Sequence, residues 1–179
     1  TERNEKMYQI NDFIIYGTHG VCRITDIGTI SMSMADKNRQ YYTLVPYYQK
    51  EAVIYAPVDN NKTVMRPVIT KEEAKRLIED IPNIETVWIG NERERENQYK
   101  TAIRTCECRE LIKIIKTLYE RKQLRLQDGK KPTVVDERYF HMAENQLYGE
   151  LSFALDIERE KMAAYIADHM TDHMAEKVD

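Results

Sequence analysis

The chain contains few of the residues and runs that mark specialised protein classes. Among its 179 residues are only three cysteines, six glycines and five prolines. Three cysteines are too few for a disulfide framework, and a reducing cytoplasm is the simplest compartment for them. The sequence also lacks an apolar run long enough to span a bilayer and a signal-peptide pattern. These absences predict a cytoplasmic protein that does not enter a membrane.

Signatures of the common enzyme classes are missing as well. There is no glycine-rich phosphate loop, no nucleophile elbow and no carboxylate pair that stands out among the many acids. Cys106 and Cys108 lack a second pair at zinc-ribbon spacing, and a helix would point them about 200° apart. His169 and His173 would share a helix face, but a metal site needs more ligands in an ordered setting. The sequence predicts no catalytic residue, metal or cofactor; a thiol- or metal-dependent enzyme using these side chains is the weaker alternative.

Charged residues, in contrast, are abundant and unevenly distributed. The formal charge is −1 over residues 1–87, +5 over 88–131 and −7 over 132–179. In a folded protein the basic segment could face a phosphate backbone while the acidic end faces away. An ordinary solvated helix surface explains the same charges, and on charge alone this is the more common explanation.

Residues 12–67 carry the signals of short β-strands. Two β-branched runs, 13–16 and 21–27, flank a Gly-Thr-His-Gly break that supplies the positive φ angles of a tight reversal. Further β-branched and aromatic runs follow at 41–45, 52–58 and 64–67. Five short strands in about 55 residues predict a small SH3- or Tudor-like β-barrel. We place this domain at residues 7–67.

At Thr70 the apolar period changes from two residues to 3.6, which indicates a domain boundary near residues 67–70. Thr70 and Glu73 form a capping box, and Pro82 ends the helix that begins there. Thr133 and Asp136 likewise mark the start of a long helix.

The remaining apolar pattern is helical. Stripes at i, i+3, i+4, i+7 spacing run through residues 111–118 and 140–155, and they predict an all-α helical bundle over residues 70–165. The fold class is therefore α+β. The tail, 166–179, has weaker periodicity, which is typical of a frayed end or an oligomer contact. Exposed strand edges and this Met-rich tail are compatible with a homodimer.

Short motifs in both halves of the chain carry a family resemblance. The first half has Tyr16-Gly-Thr-His-Gly20 followed by Val21-x-x-Ile24-x-x-Ile27. The second half has Arg93-x-Arg95-x-x-x-Tyr99-Lys100, Leu118-Tyr-x-Arg121-Lys122 and Ala143-Glu-x-x-Leu147-x-x-Glu150-Leu151-x-x-Ala154-Leu155. In this order they resemble the CarD/CdnL family of bacterial transcription regulators over about residues 8–160. The first motif is also similar to the polymerase-interacting module of the repair translocase Mfd. Members usually have Pro where this chain has Gly17.

The resemblance implies a non-enzymatic, nucleoid-associated regulator. In that family the Tudor-like barrel binds the RNA polymerase β subunit and the helical domain binds promoter DNA near the −10 region, which modulates open-complex stability. Docking by strand pairing and apolar contact is expected for the barrel. The predicted polymerase-binding residues are Tyr41, Leu44, Val53 and Tyr55. Some members have an Arg at the position of Tyr55.

The resemblance also implies a tryptophan wedge in the minor groove at the upstream edge of the promoter bubble. Trp88 is the candidate, although the wedge position of the actinobacterial members corresponds to Arg95; packing at the domain junction is its alternative role. Basic residues around the wedge would contact phosphates. The predicted DNA-binding residues are Trp88, Arg93, Arg95, Lys100, Arg104, Lys113, Lys116, Arg121, Lys122 and Arg125. The chief alternative function is a protein-only adaptor that binds polymerase or another partner without touching DNA.

Overall fold

A computed structural model describes residues 7–33, 35–87 and 89–176, with side chains described as far as His169. The chain divides between Val68 and Ile69 into two compact units. Within the described residues the first unit holds five strands and the second holds five α-helices, so the fold is α+β. No helix in this described part combines the length and apolar character needed to cross a bilayer.

The first unit is built on one antiparallel sheet. Its strands are β1 (Phe13–Tyr16), β2 (Val21–Gly28), β3 (Tyr41–Pro46), β4 (Ile54–Pro57) and β5 (Met65–Pro67). Their order in the sheet is β4-β3-β2-β1-β5. The five-stranded antiparallel sheet confirms that part of the predicted fold, and its closure into an SH3-like barrel stays a prediction.

The β1–β2 hairpin depends on the glycine at its first turn position. Gly17 has φ 50 and Gly20 has φ 71, the left-handed region that glycine adopts most easily. The Gly17 N–H donates to the Val64 carbonyl at 2.8 Å. A proline there would require φ near −65° and would lack that donor. This loop therefore has a conformation that the usual family proline could not adopt.

The two faces of β3 differ in burial because side chains alternate across a strand. Tyr42, Leu44 and Pro46 are buried, whereas Tyr41, Thr43 and Val45 are half-buried. The sheet's core cluster consists of Ile14, Tyr16, Cys22, Ile24, Tyr42, Leu44 and Ala56. One face of β3 thus contributes to the core, and its other face remains partly accessible.

The second unit consists of α1 (Lys71–Asp80), α2 (Arg95–Thr105), α3 (Cys108–Gln127), α4 (Val134–Leu155) and α5 (Met162–Glu176). The predicted capping box is confirmed: the Glu73 N–H donates to Thr70 Oγ1 at 3.1 Å, and the Thr70 N–H donates to Glu73 Oε2 at 2.7 Å. The Thr133 hydroxyl caps α4 by accepting from the Asp136 N–H at 3.1 Å.

Among the described residues of the helical unit, one large buried cluster receives side chains from all five helices. Leu111, Ile114 and Leu118 of α3 are at most 2% exposed and share this cluster with Ala143, Leu147 and Leu151 of α4. The predicted apolar stripes of these two helices thus lie in the core. Met162 begins α5 fully buried, and the chain remains helical to Glu176, where the sequence pattern was weak.

Candidate polymerase and nucleic-acid interfaces

The β4 edge of the first unit carries exposed aromatic and aliphatic side chains. In the described structure β4 ends the strand order and pairs with β3 on one side. Tyr55 lies opposite Thr43 and Tyr41 lies opposite Pro57, so these side chains share the outer face. Tyr55 is 42% exposed, and Val53, just before the strand, is 52% exposed. In the described structure the backbone of β4 therefore has one edge that no strand pairs with. Aromatic and aliphatic side chains lie beside that edge.

A second exposed group follows β3. Tyr47 and Tyr48 are about two-fifths exposed, and their rings meet edge to face at a centroid distance of 5.0 Å. Phe13 contacts Tyr47 in the same manner at 6.1 Å. These aromatic side chains were not among the predicted contacts. Their signal in the sequence is the Tyr-Tyr pair directly after Pro46, which ends the strand.

In the helical unit, one buried carboxylate gathers charged side chains from three helices. Asp136, near the start of α4, is 6% exposed. It accepts hydrogen bonds from the Tyr99 hydroxyl at 3.0 Å and from Arg121 Nε at 3.2 Å. Arg95 Nε lies 3.4 Å from Asp136 Oδ1. The N-terminus of α4 also favours a carboxylate at this position.

Glu92 completes this Asp136 cluster, which we define as Glu92, Arg95, Tyr99, Arg121 and Asp136. Arg121 binds Glu92 in a bidentate manner at 2.9 and 3.1 Å, and Arg95 Nη1 also donates to Glu92. Hydrogen bonds from Arg121 and Arg95 lower the pKa of Glu92 to about 2. Burial and the neighbouring Asp136 raise the pKa of Tyr99. Two guanidinium groups thus balance two carboxylates within the unit.

A separate set of polar contacts attaches the segment after α1 to α3. Lys116 Nζ donates to the Ile81 carbonyl at 2.9 Å and also to the Ile84 carbonyl. The adjacent Thr117 accepts from the Val87 N–H at 2.8 Å. These contacts hold residues 81–87, which lead to the predicted wedge residue.

Residues 8–69 match the family model of the CarD-like/TRCF RID domain. This is the RNA-polymerase-interacting domain found in CarD/CdnL and TRCF proteins. The match confirms the resemblance inferred from the Tyr16–Gly20 motif, and we call residues 8–69 the RID-like domain. The helical signatures lie outside the matched residues and stay a prediction. A search of curated proteins finds no match for the chain.

In the RID-like domain, three of the four predicted polymerase-binding residues reach the outer face. They are Tyr41, Val53 and Tyr55. Leu44 needs correction, because it is 0% exposed and its side chain lies in the sheet core. Adjacent positions on a strand face opposite sides, so Leu44 cannot share a docking surface with Tyr41.

The predicted DNA-binding residues of the helical unit fall into two groups. Arg95, Arg121 and Lys116 have internal partners, and the two arginine side chains are only 19% and 21% exposed. The wedge position implied by the resemblance, Arg95, is therefore occupied by a side chain of the Asp136 cluster. Trp88 lies outside the described residues.

The second group remains at the surface. Arg93 and Arg104 are exposed. Lys100, Lys113 and Lys122 pair with Glu96, Glu110 and Glu137 at 3.4, 2.9 and 3.2 Å, and Arg125 Nε donates to the Lys131 carbonyl at 2.8 Å. Ion pairs between exposed side chains are worth about 0–1 kcal/mol, so these cations can exchange their partners for phosphates.

The cysteines lie away from solvent. Cys22, Cys106 and Cys108 are buried and are not joined in disulfides, and burial raises the pKa of the Cys22 thiol to about 11. Cys108 Sγ donates to Glu150 Oε2 at 3.2 Å. A buried thiol with a raised pKa is a poor nucleophile. Among the described residues no three His, Cys, Asp or Glu side chains are grouped to hold a metal ion, and His173 lies outside the described side chains.

Proposed function

We propose that the chain is a non-enzymatic bacterial transcription regulator that binds the RNA polymerase β subunit through its RID-like domain. Through the helical unit it binds promoter DNA near the −10 region and modulates the stability of the open complex. The observation that carries the proposal is the RID match over residues 8–69. The accessible β4 edge in that domain supports it. The protein would act in the cytoplasm, on the nucleoid.

The polymerase contact is proposed to form by strand addition at β4. An added strand gains main-chain hydrogen bonds from the edge and specificity from alternate side chains. The outward side chains here are Tyr41 and Tyr55, with Val53 just before the strand. A partner strand would therefore meet an aromatic and apolar surface.

The DNA contact is proposed to use the surface cations of the helical unit together with Trp88 as the minor-groove wedge. Phosphate contacts of this kind release counterions and carry little sequence information. The surface cations are Arg93, Lys100, Arg104, Lys113, Lys122 and Arg125. Binding should therefore be salt-sensitive and weakly sequence-specific.

An effect on promoter opening requires differential affinity for two states of the polymerase–promoter complex. A regulator that binds closed and open complexes equally well shifts nothing. A wedge that inserts between base steps must unstack them, and this costs less free energy where the DNA is already melted. This provides the preference for one state.

The alternative is a protein-only adaptor, and the Asp136 cluster favours it. Arg95 and Arg121 pair with Glu92 and Asp136 inside the helical unit. Neither guanidinium group is then available to bind a DNA phosphate. Part of the positive charge of residues 88–131 is thus neutralised by carboxylates of the same unit.

Promoter opening by a bacterial RNA polymerase holoenzyme, followed by a fluorescent probe at the −10 region, distinguishes the two functions. We expect the wild-type chain to change the open-complex level and Trp88→Ala to change it less while polymerase binding is retained. An unchanged open-complex level with wild-type chain bound to polymerase would support the adaptor.

A further inference from the structure

The connection between α1 and α2 begins with a short 3-10 turn, Ile81–Asn83. The Ile81 and Ile84 side chains are 7% and 3% exposed and belong to the core cluster. Their carbonyls both accept hydrogen bonds from Lys116 Nζ, the first at 2.9 Å. An ammonium group directed at backbone carbonyls is a charge-assisted hydrogen-bond donor, stronger than a neutral one. Lys116 is therefore engaged by its own chain.

The end of the same connection is held by the next residue of α3. The Val87 N–H donates to Thr117 Oγ1 at 2.8 Å, and the Thr117 hydroxyl donates to the Lys113 carbonyl at 2.7 Å. Thr117 is 5% exposed. Its hydroxyl thus bridges the α3 backbone and the residue directly before Trp88. Valine has nearly the same shape but cannot accept the Val87 N–H.

The apolar and polar contacts of the connection have different consequences. Burial of Ile81 and Ile84 holds the start of the segment but is non-directional. The bonds from Lys116 and Thr117 are directional, so they fix how far along α3 the segment lies. They set the position and direction of the backbone where it leaves Val87.

We propose that Lys116 and Thr117 are positioning residues that fix residues 81–87 on α3 and thereby determine the effect of the chain on promoter opening. The inference rests on the proposed function and deepens it, because it assigns Lys116 an internal role in place of a phosphate contact. Neither residue touches DNA. Both act through the segment that leads to Trp88.

The test measures promoter opening with the full chain and polymerase holoenzyme for Thr117→Val and Thr117→Ser. Losing one buried hydrogen bond should reduce the effect on opening about threefold to tenfold in Thr117→Val. Thr117→Ser keeps the hydroxyl and should retain the wild-type effect. In a Trp88→Ala background, Thr117→Val should cause no further loss. Hydrogen exchange of the Val87 amide should become faster in Thr117→Val, which reports the broken bond directly.

A second variant pair separates positioning from phosphate binding. Lys116→Met should reduce the effect on opening, but the slope of log affinity for promoter DNA against log salt should stay unchanged. Lys113→Met is the matched control, because Lys113 lies on the same helix and pairs with Glu110 at the surface. Because Lys113 is a proposed phosphate ligand, Lys113→Met should lower the salt slope by about one, whereas Lys116→Met should not. If Thr117→Val fails to fold, the effect of Lys116→Met on opening and on the salt slope decides whether Lys116 is a positioning residue.

Two results would overturn the inference alone. The first is a wild-type effect on opening that Thr117→Val and Lys116→Met both retain. The second is a salt slope that falls by about one in Lys116→Met, as for a phosphate ligand. If the wild-type chain itself leaves opening unchanged, the proposed function fails, and this inference fails with it.

Discussion

Arg121 Nη1 and Nη2 lie 2.9 and 3.1 Å from the two carboxylate oxygens of Glu92, a residue that precedes it by 29 positions. The same guanidinium donates through Nε to buried Asp136 at 3.2 Å. One side chain thus joins the segment before α2, helix α3 and the start of α4. The planar guanidinium is suited to this because its five donors form a fixed fork.

Removing Arg121 should destabilise the helical unit. In Arg121→Met, Asp136 stays buried with one cation fewer, and we expect a loss of about 2 kcal/mol in the free energy of unfolding. Denaturant unfolding followed by circular dichroism measures it. Lys122→Met, at the adjacent exposed position, should change this free energy by less than about 0.5 kcal/mol. Equal losses in the two variants would show that the cluster does not stabilise the fold.

Glu92 should add an acid-sensitive component to stability. Its pKa lies at about 2, below the ordinary 4.5, so the folded state favours the carboxylate form. The stabilisation is complete above about pH 4.5 and is lost as the pH falls toward 2. Glu92 is largely exposed, so screening keeps the effect small. Between pH 6 and 2 the unfolding free energy of Glu92→Gln should fall less steeply than that of the wild-type chain. Parallel pH dependences in the two proteins would show that Glu92 is not the source of the acid sensitivity.

Any side chain at position 17 should lower the free energy of unfolding. A Cβ at this position would lie 2.7 Å from Thr63 Cγ2, and its φ of 50 is strained for other residues. Gly17→Ala should cost about 1–2 kcal/mol of unfolding free energy, and Gly17→Pro more, since it also loses the bond to Val64. Gly28→Ala is the control, because its Cβ would enter open space. A Gly17→Pro variant as stable as wild type would refute this conformation of the loop.

Two arginines of α2 should respond differently to substitution in DNA binding. Arg104 is exposed, whereas Arg95 belongs to the Asp136 cluster. Arg104→Gln should weaken promoter binding at all sequences and lower the salt slope by about one. Arg95→Gln should leave the slope unchanged in protein that remains folded. Titrations of promoter DNA at several salt concentrations measure the affinity and the salt slope of each variant. A smaller salt slope in Arg95→Gln would show that Arg95 contacts a phosphate after all.

Local patterns in the sequence predicted much of this fold, but contacts between residues far apart in the sequence could not be predicted from them. The capping box at Thr70 and Glu73 depends on residues three positions apart, and spacing alone identified it. In β3, both faces carry apolar or aromatic residues, so the sequence could not show that Leu44 points into the core. The partners of Arg121 in the Asp136 cluster are 29 and 15 positions away. A run of basic residues therefore suggested a nucleic-acid surface where two arginines are internal.

The binding of the full chain to the RNA polymerase β subunit tests the central claim most directly. Tyr55→Asp places a charge on the exposed β4 edge, and we expect it to weaken binding by at least about tenfold. Tyr119→Asp is the matched control, since Tyr119 is 55% exposed and lies on α3 of the helical unit; it should bind within about twofold of wild type. No binding of the wild-type chain, or equal affinity of the two variants, would contradict docking through the RID-like domain at β4.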